Sequence, residues 1–477
     1  MSFEATIGLE IHVQLGTTTK AFSGSKVQYG ASPNSLTDPT VLGLPGALPS
    51  YNQGAFERAL KLGLACGCRI RNVSRFARKH YFYPDSPKGY QITQDKEPLC
   101  EGGHIEFLFE DKVHKVPLTR IHLEEDAGKS SHVKGAGSKV DLNRCGVPLC
   151  EIVTEPAILS SKEAAETMRA IRRLVRTIGV SEGDLEKGHI RCDANVSIRP
   201  KGQKELGTRT EMKNINSFRF VEQAIDSEIL RQSELLSQGG VVKQQTRNWD
   251  PDKGISTVMR SKEDAEDYRY FPDPDLPPLI VTEEMKEATK ASLPTLPVAR
   301  YQKYVEEYGL TEETAKFFVD ENDVADYFDN TAKQLTSKEA KTAANWIQRD
   351  LTASLKESEL VIGESKISEE SLAELIKLIC KGDISNKIAK KVFLAMWSEG
   401  KSAKTIVDEK GLAQVSDGAS IEKWVDEVIA ENTGQVSEYR SGKTGLLGYF
   451  VGQVMKKSKG QANPGLVNKA LTEKLSQ

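Results

Sequence analysis

Phe3-Glu4-Ala5-Thr6-Ile7-Gly8-Leu9-Glu10-Ile11-His12-Val13-Gln14-Leu15 places an apolar residue at every odd position and a polar residue or glycine at every even one. A period of two marks a strand with one buried and one open face, because successive side chains on an extended backbone point to opposite sides. The alternation returns at His189 to Arg199, where Ile190, Cys192, Ala194, Val196 and Ile198 oppose His189, Arg191, Asp193, Asn195 and Ser197. Leu118 to Glu124 sets His122 and Glu124 opposite Ile121 and Leu123, ahead of the turn-forming Asp126-Ala127-Gly128, and a further run carries Glu211 and Lys213. The period lengthens at Ser161 to Gly179, with Ala164, Met168, Ile171, Leu174, Val175 and Ile178 on one stripe, and again at Phe218 to Leu236. These two segments predict helices that cover the apolar sheet face. Strand alternation ends at the proline-rich stretch Pro272 to Pro278, followed by Pro294 and Pro297. The expected class is α+β: an antiparallel-sheet domain over 1–297, an all-helical domain over 298–408 and a small helical tail domain over 409–477.

The 477 residues carry 65 Lys and Arg against 68 Asp and Glu, a formal net charge of −3 that singles out no partner. No stretch approaches the roughly 18 consecutive apolar residues of a membrane helix, and Met1 to Val13 holds no basic segment ahead of an apolar one. The expectation is a cytoplasmic protein with reduced cysteines. Of its seven cysteines only Cys66-Gly-Cys68 has metal-like spacing, and with no second close pair it reads as two buried thiols.

The polar strand faces are unusual in composition. A merely wet face favours Thr, Lys and Glu, whereas these carry Glu10, His12, His122, Glu124, His189, Arg191, Asp193 and Asn195. Glu10 and His12, two apart, project from one face about 7 Å apart, within reach of a single ion. Glu124-Glu125-Asp126 places three acids in succession, which repel one another unless a cation offsets them, and carboxylates suit a hard ion such as Mg²⁺. Arg78-Lys79-His80-Tyr81-Phe82-Tyr83 and Lys88-Gly89-Tyr90-Gln91 interleave cations with rings, as a surface meeting phosphates and bases does. Gly128-Lys129-Ser130 and Gly442-Lys443-Thr444 lack the earlier glycine of a phosphate-binding loop. From Arg440 to the end there are seven Lys or Arg against Glu473 alone, so the tail is basic although the chain is not. Arg440, Lys443, Lys456, Lys457 and Lys459 are the expected nucleic-acid contacts.

Together these motifs resemble the B-subunit family of the glutamine-dependent aspartyl/glutamyl-tRNA amidotransferases, nearly end to end. The resemblance rests on Ile7 to Val13, Tyr81 to Asp85, His122 to Lys129, Asp141 to Arg144, Arg191 to Ser197, Glu211 to Asn214, Asp267 to Pro272 and Lys456 to Pro464. It implies a cradle domain similar to glutamine synthetase, and a reaction in which ATP phosphorylates the side-chain carboxylate of Glu on tRNA(Gln) or Asp on tRNA(Asn) before ammonia forms the amide. It further implies Mg²⁺ near Glu10, His12 and Glu125, with Glu124, Glu151, Asp193 and Glu211 as catalytic candidates. Lys79, Arg191 and Lys213 are the phosphate candidates. The implied partners are an amidase-type glutaminase A subunit and a small C subunit in a heterotrimer. Some members of the family hold zinc through cysteines at positions where this chain has Ser23, Ser25, Asp38 and Val41, so no zinc is expected here. A non-catalytic tRNA-binding scaffold would not need the Glu10, His12 and Glu125 set, and a ligase acting on free glutamate would not need the basic tail.

Overall fold

The structure is a computed structural model that describes residues 2–133, 135, 137–261, 268–412, 418–458 and 461–476. Its chain divides into two compact units, Met1–Arg300 and Tyr301–Gln477.

The first unit is built on a ten-stranded sheet. In chain order its strands, with those of a smaller sheet, are β1 (Phe3–Gln14), β2 (Arg69–Ile70), β3 (Ala77–His80), β4 (Tyr90–Thr93), β5 (Cys100–Glu101), β6 (His104–Phe109), β7 (Lys112–Glu125), β8 (Pro148–Thr154), β9 (Ile190–Pro200), β10 (Thr210–Ile215), β11 (Gln245–Asp250), β12 (Ile255–Ser261) and β13 (Phe271–Pro272). The large sheet runs β12-β11-β10-β9-β1-β8-β7-β5-β2, with β6 on β7, while β13-β3-β4 form the small one. Every pairing in the large sheet is antiparallel except that of β10 with β11.

The first strand sits at the centre of this sheet because its odd residues are the most apolar alternating set in the chain. Ile7, Leu9, Ile11, Val13 and Leu15 are each at most 1% exposed. The helices α1 (Gln53–Ala65), α2 (Ser161–Thr177) and α3 (Phe218–Ser237) contribute residues to the same core, among them Leu60, Met168, Ile171 and Ile225. Ser160 caps α2 by accepting from the Glu163 N–H at 3.1 Å, and Ser217 caps α3 by accepting from the Phe220 N–H at 3.1 Å. Each cap satisfies an amide that the first helical turn leaves without a partner. With the odd residues of β1 and the even residues of β9 buried, the even residues of β1 and the odd residues of β9 are left on the opposite face.

Cys66 and Cys68 are buried thiols, and burial pushes Cys68 up to about 12. Ser23, Ser25, Asp38 and Val41 do converge: the Asp38 carboxylate accepts from the Val41 N–H at 2.8 Å and from both serine hydroxyls.

The regular elements described in the second unit are helices joined by short connections. It holds two hydrophobic clusters, one drawn from Tyr304 to Val407 and one from Ile421 to Leu475. No described helix is long and apolar enough to cross a membrane.

Candidate active site

Cross-strand register assembles the site. Arg191, His12, Glu151 and His122 are direct neighbours across β9, β1, β8 and β7, so they form one row on the polar face. Directly opposed residues of antiparallel strands put their Cβ atoms about 5 Å apart, which brings such side chains into contact. His12 Nε2 lies 3.1 Å from Glu124 and 3.7 Å from Glu151, and His122 Nε2 lies 3.2 Å from Glu151. Thr93 of β4 donates its hydroxyl to Glu124 at 3.3 Å. Among the described residues His12, Glu124 and Glu151 are the group whose ligand atoms, all within 4.8 Å of one another, could hold a metal ion.

Glu10 is one step along β1, directly opposite Asp193, and it accepts from Asn195 Nδ2 at 2.9 Å. Lys213 donates to Asp193 at 2.5 Å and lies 2.8 Å from Glu211, which in turn accepts from Thr246 at 2.7 Å. Arg191 donates to Asp126 at 2.6 Å. The Lys79 ammonium lies 4.9 Å from the centre of the Tyr268 ring.

The electrostatics of the two halves differ. Burial works against a charged His12, yet the hydrogen bond and charge of Glu124, with Glu151, raise its pKa to about 9. Burial likewise opposes ionisation of Glu151, but the bond to His122 and the charges of His12 and Lys79 hold it well below the usual carboxylate range. Burial disfavours the charge on Lys79, and Glu124, Tyr270 and Glu151 more than restore it. Glu10 goes the other way. Burial and then the charges of Glu151, Glu211 and Asp193 raise its pKa, against the Asn195 bond.

Glu125, expected near the metal, has other partners. Glu125 does not join His12 and Glu124: its carboxylate is bonded to the Lys88 ammonium and accepts from the Ile92 N–H at 2.9 Å. The cause is the period of two, which turns Glu125 away from the face that His122 and Glu124 share. Glu151 takes the place expected of Glu125, and Glu10 stands beside the ligand group rather than in it. Sequence reasoning left His122 without a role, although its even spacing from Glu124 is a usable signal. Lys88 stands in the cation-and-ring stretch Lys88 to Gln91, but its pairing with Glu125 has no local signal.

A cluster in which five strands deliver carboxylates, histidines and lysines to one face is more than a tRNA-holding scaffold requires. Comparison with known proteins decides the family. A family model described as the GatB/GatE catalytic domain matches residues 5–287, and one described as the GatB domain matches residues 326–475.

The chain belongs to the aspartyl/glutamyl-tRNA(Asn/Gln) amidotransferase B-subunit family.

The B subunit of this amidotransferase from Geobacter sulfurreducens is 50% identical over 479 residues, covering 100% of both chains. The corresponding protein of Bdellovibrio bacteriovorus is 51% identical over 474 residues, covering 99% of both, and that of Persephonella marina 50% identical over 475, covering 100% of both.

The basic tail lies largely within the stretch matched by the GatB domain model, and its cations are partly engaged within the tail itself. Arg440 donates to the carbonyls of Leu475 and Lys474, both at 3.4 Å, at the end of the helix Pro464–Leu475. Lys443 pairs with Glu438 at 3.1 Å, and Lys457 with Glu431 and Glu427 at 2.6 and 2.9 Å. Lys456 lies in the last turn of the helix Leu447–Lys457. Lys459 lies outside the described residues.

Proposed function

We propose that this chain carries the amide-forming chemistry of a tRNA-dependent amidotransferase. Glu attached to tRNA(Gln), or Asp attached to tRNA(Asn), is phosphorylated by ATP on its side-chain carboxylate and then amidated. The observation that supports this reading is the row Arg191, His12, Glu151 and His122, with Glu124 beside it and Lys79 facing it.

A carboxylate is a poor acyl electrophile, so a leaving group must first be attached. A substrate carboxylate oxygen attacks the γ-phosphorus of ATP, and ADP departs. The nitrogen of ammonia then attacks the acyl carbon, inorganic phosphate leaves, and the nitrogen gives up a proton. Phosphoryl transfer of this kind is catalysed mainly by positioning and by charge placed on the moving phosphoryl group. Lys79 and Lys213, both held charged by neighbouring carboxylates, supply that charge from two sides. Glu10, the carboxyl whose proton affinity its surroundings raise, is suited to take the proton shed by ammonia. Arg191 orients Asp126 at the end of the row and adds a third positive charge.

The donor set of His12, Glu124 and Glu151 fits a divalent cation. The two carboxylates hold a proton on His12, and a divalent cation would displace that proton for the imidazole nitrogen to serve as a ligand. Mg²⁺, when bound there, neutralises charge developing on the phosphoryl oxygens. Ammonia comes from an amidase-type A subunit in a cytoplasmic heterotrimer with a small C subunit, and residues 409–477 capture the tRNA. The test is ATP cleavage by the reconstituted complex in the presence of each misacylated tRNA. Glu124→Gln and Glu151→Gln should each lower it by about 10²- to 10³-fold, as loss of one charge-stabilising group does elsewhere. Cleavage and amidation at the parent rate in both variants would refute the assignment.

A further inference from the structure

Lys79 differs from the site's other lysines in how its charge is held. Among the described residues Lys88 and Lys213 pair directly with carboxylates, whereas Lys79 pairs with none and instead has the Tyr268 ring, whose centre lies 4.9 Å from the ammonium. Burial opposes the charge on Lys79, and Glu124 and Glu151 act on it from beyond ion-pairing distance. A carboxylate partner takes up ammonium N–H groups and neutralises the charge. A ring face attracts the same charge through its quadrupole and leaves it net positive. Lys79 therefore keeps both donors and charge available to a phosphoryl oxygen.

The ring is carried by a strap, residues 268–275, that pairs with the strand bearing Lys79. Pro272 and Phe271 lie opposite Ala77 and Arg78 of β3, Phe271 stacks on His80 with ring centres 4.8 Å apart, and Arg78 donates to Asp273 at 2.9 Å and to Asp275 at 2.6 Å. Continued regularly, that pairing would set Arg269 opposite His80. The His80 N–H instead donates to the Tyr268 carbonyl at 2.9 Å, and Arg269 is the extra residue, with a φ of 42°. A left-handed residue at such a bulge bends its strand and re-aims the side chains beside it. For an arginine this backbone is strained, and it persists because the bonds on either side over-determine it. Tyr270 lies edge-on to Tyr268, with ring centres 6.1 Å apart and planes at 70°, and so steadies the ring that meets Lys79.

We propose that Tyr268 is a positioning residue for the phosphorylation step: its ring, aimed by the bulge at Arg269, holds the Lys79 ammonium where the transferring phosphoryl group passes. The inference rests on the amide-forming reading above. Tyr268 acts through Lys79, and the strap is what fixes the pair.

The experiment replaces Tyr268 in the reconstituted complex with Phe, with Leu and, by nonsense suppression, with mono-, di- and trifluorinated Phe. Fluorine hardly alters the size of the ring while it drains the negative face that attracts a cation. ATP cleavage is followed in the presence of misacylated tRNA. Tyr268→Phe, which keeps the ring face, should hold kcat within about threefold of the parent value. Tyr268→Leu should lower kcat by about three- to thirtyfold, the span of a cation–ring contact from exposed to desolvated surroundings, with KM for ATP within about twofold. Across the fluorinated series log kcat should fall in step with the number of fluorines. That series decides the matter even where Tyr268→Leu fails to fold, because a ring that only fills space would give a flat response. A flat series, or a loss in Tyr268→Phe as deep as in Tyr268→Leu, overturns the proposal. Wild-type complex that fails to cleave ATP with misacylated tRNA would sink the amide-forming reading instead.

Discussion

Glu10→Gln should make the fold more stable and the enzyme inactive. Glu10 sits directly opposite Asp193 on the neighbouring strand. Opposed residues have Cβ atoms about 5 Å apart, and two unit charges at such a separation would repel by roughly 3 kcal/mol at an effective dielectric constant near 20; Glu151 and Glu211 add to the repulsion. Lys213, 2.5 Å from Asp193, offsets much of this, so a net gain of about 1–2 kcal/mol is expected from a neutral isostere, within the range of common stabilising substitutions. For a unit of this size that is about 2–6 °C in melting temperature. The sign follows from the direction of the pKa shift. Burial and the charges of Glu151, Glu211 and Asp193 raise Glu10 in the folded state, so the folded protein binds this proton more tightly than the unfolded chain does. The wild type therefore loses stability as pH rises from the ordinary carboxylate value through the raised one. The advantage of Glu10→Gln should be full above the raised pKa, shrink as pH falls through it, and vanish below the ordinary range. Calorimetric melting of both proteins from pH 4.5 to 8, with and without Mg²⁺, measures this, and added cation should narrow the gap at pH 8. A variant that melts lower than wild type at pH 8, or whose advantage is the same at every pH, would refute the argument.

His122→Asn, which removes the bond to Glu151 at 3.2 Å, should weaken divalent-cation binding measured by calorimetric titration while leaving tRNA affinity intact. Gly207→Ala should cost about 1–3 kcal/mol in denaturant unfolding, because backbone rather than a movable side chain stands 2.0 Å from the new Cβ. Deleting residues 409–477 should weaken tRNA binding and flatten its salt dependence by the equivalent of about two or three phosphate contacts, since Arg440, Lys443 and Lys457 are already engaged within the tail. Equal slopes for full-length and truncated complexes would remove the capture role. Elemental analysis should find less than one zinc per chain.

Much of the sheet was legible in period alone. β1 runs Phe3–Gln14 where alternation predicts Phe3 to Leu15, and β9 runs Ile190–Pro200 where it predicts His189 to Arg199. The placement of Glu124 was legible too, because it is two residues from His122 on a face whose reverse carries Ile121 and Leu123. The expectation for Glu125 rests on resemblance and chemistry together, not on parity. Three acids in succession give composition no means of ranking them, and only register does. The role of Glu151 depends on the pairing of β8 between β1 and β7, which joins residues far apart in the chain. No local pattern encodes such a pairing. The parallel step between β10 and β11, which brings Thr246 to Glu211, is hidden for the same reason.

The convergence of Asp38 with Ser23, Ser25 and Val41 gives the early part of the chain a fastening made of its own atoms. The clasp joins residues within about twenty positions of one another in the chain, and its bonds run between protein atoms. What it answers to is acidity. Burial opposes charge on Asp38, but the Val41 amide and the two hydroxyls hold its pKa below the ordinary value. The clasp is at full strength above the ordinary carboxylate range and slackens as pH falls through the lowered one. Near neutrality, above both values, the clasp is at full strength.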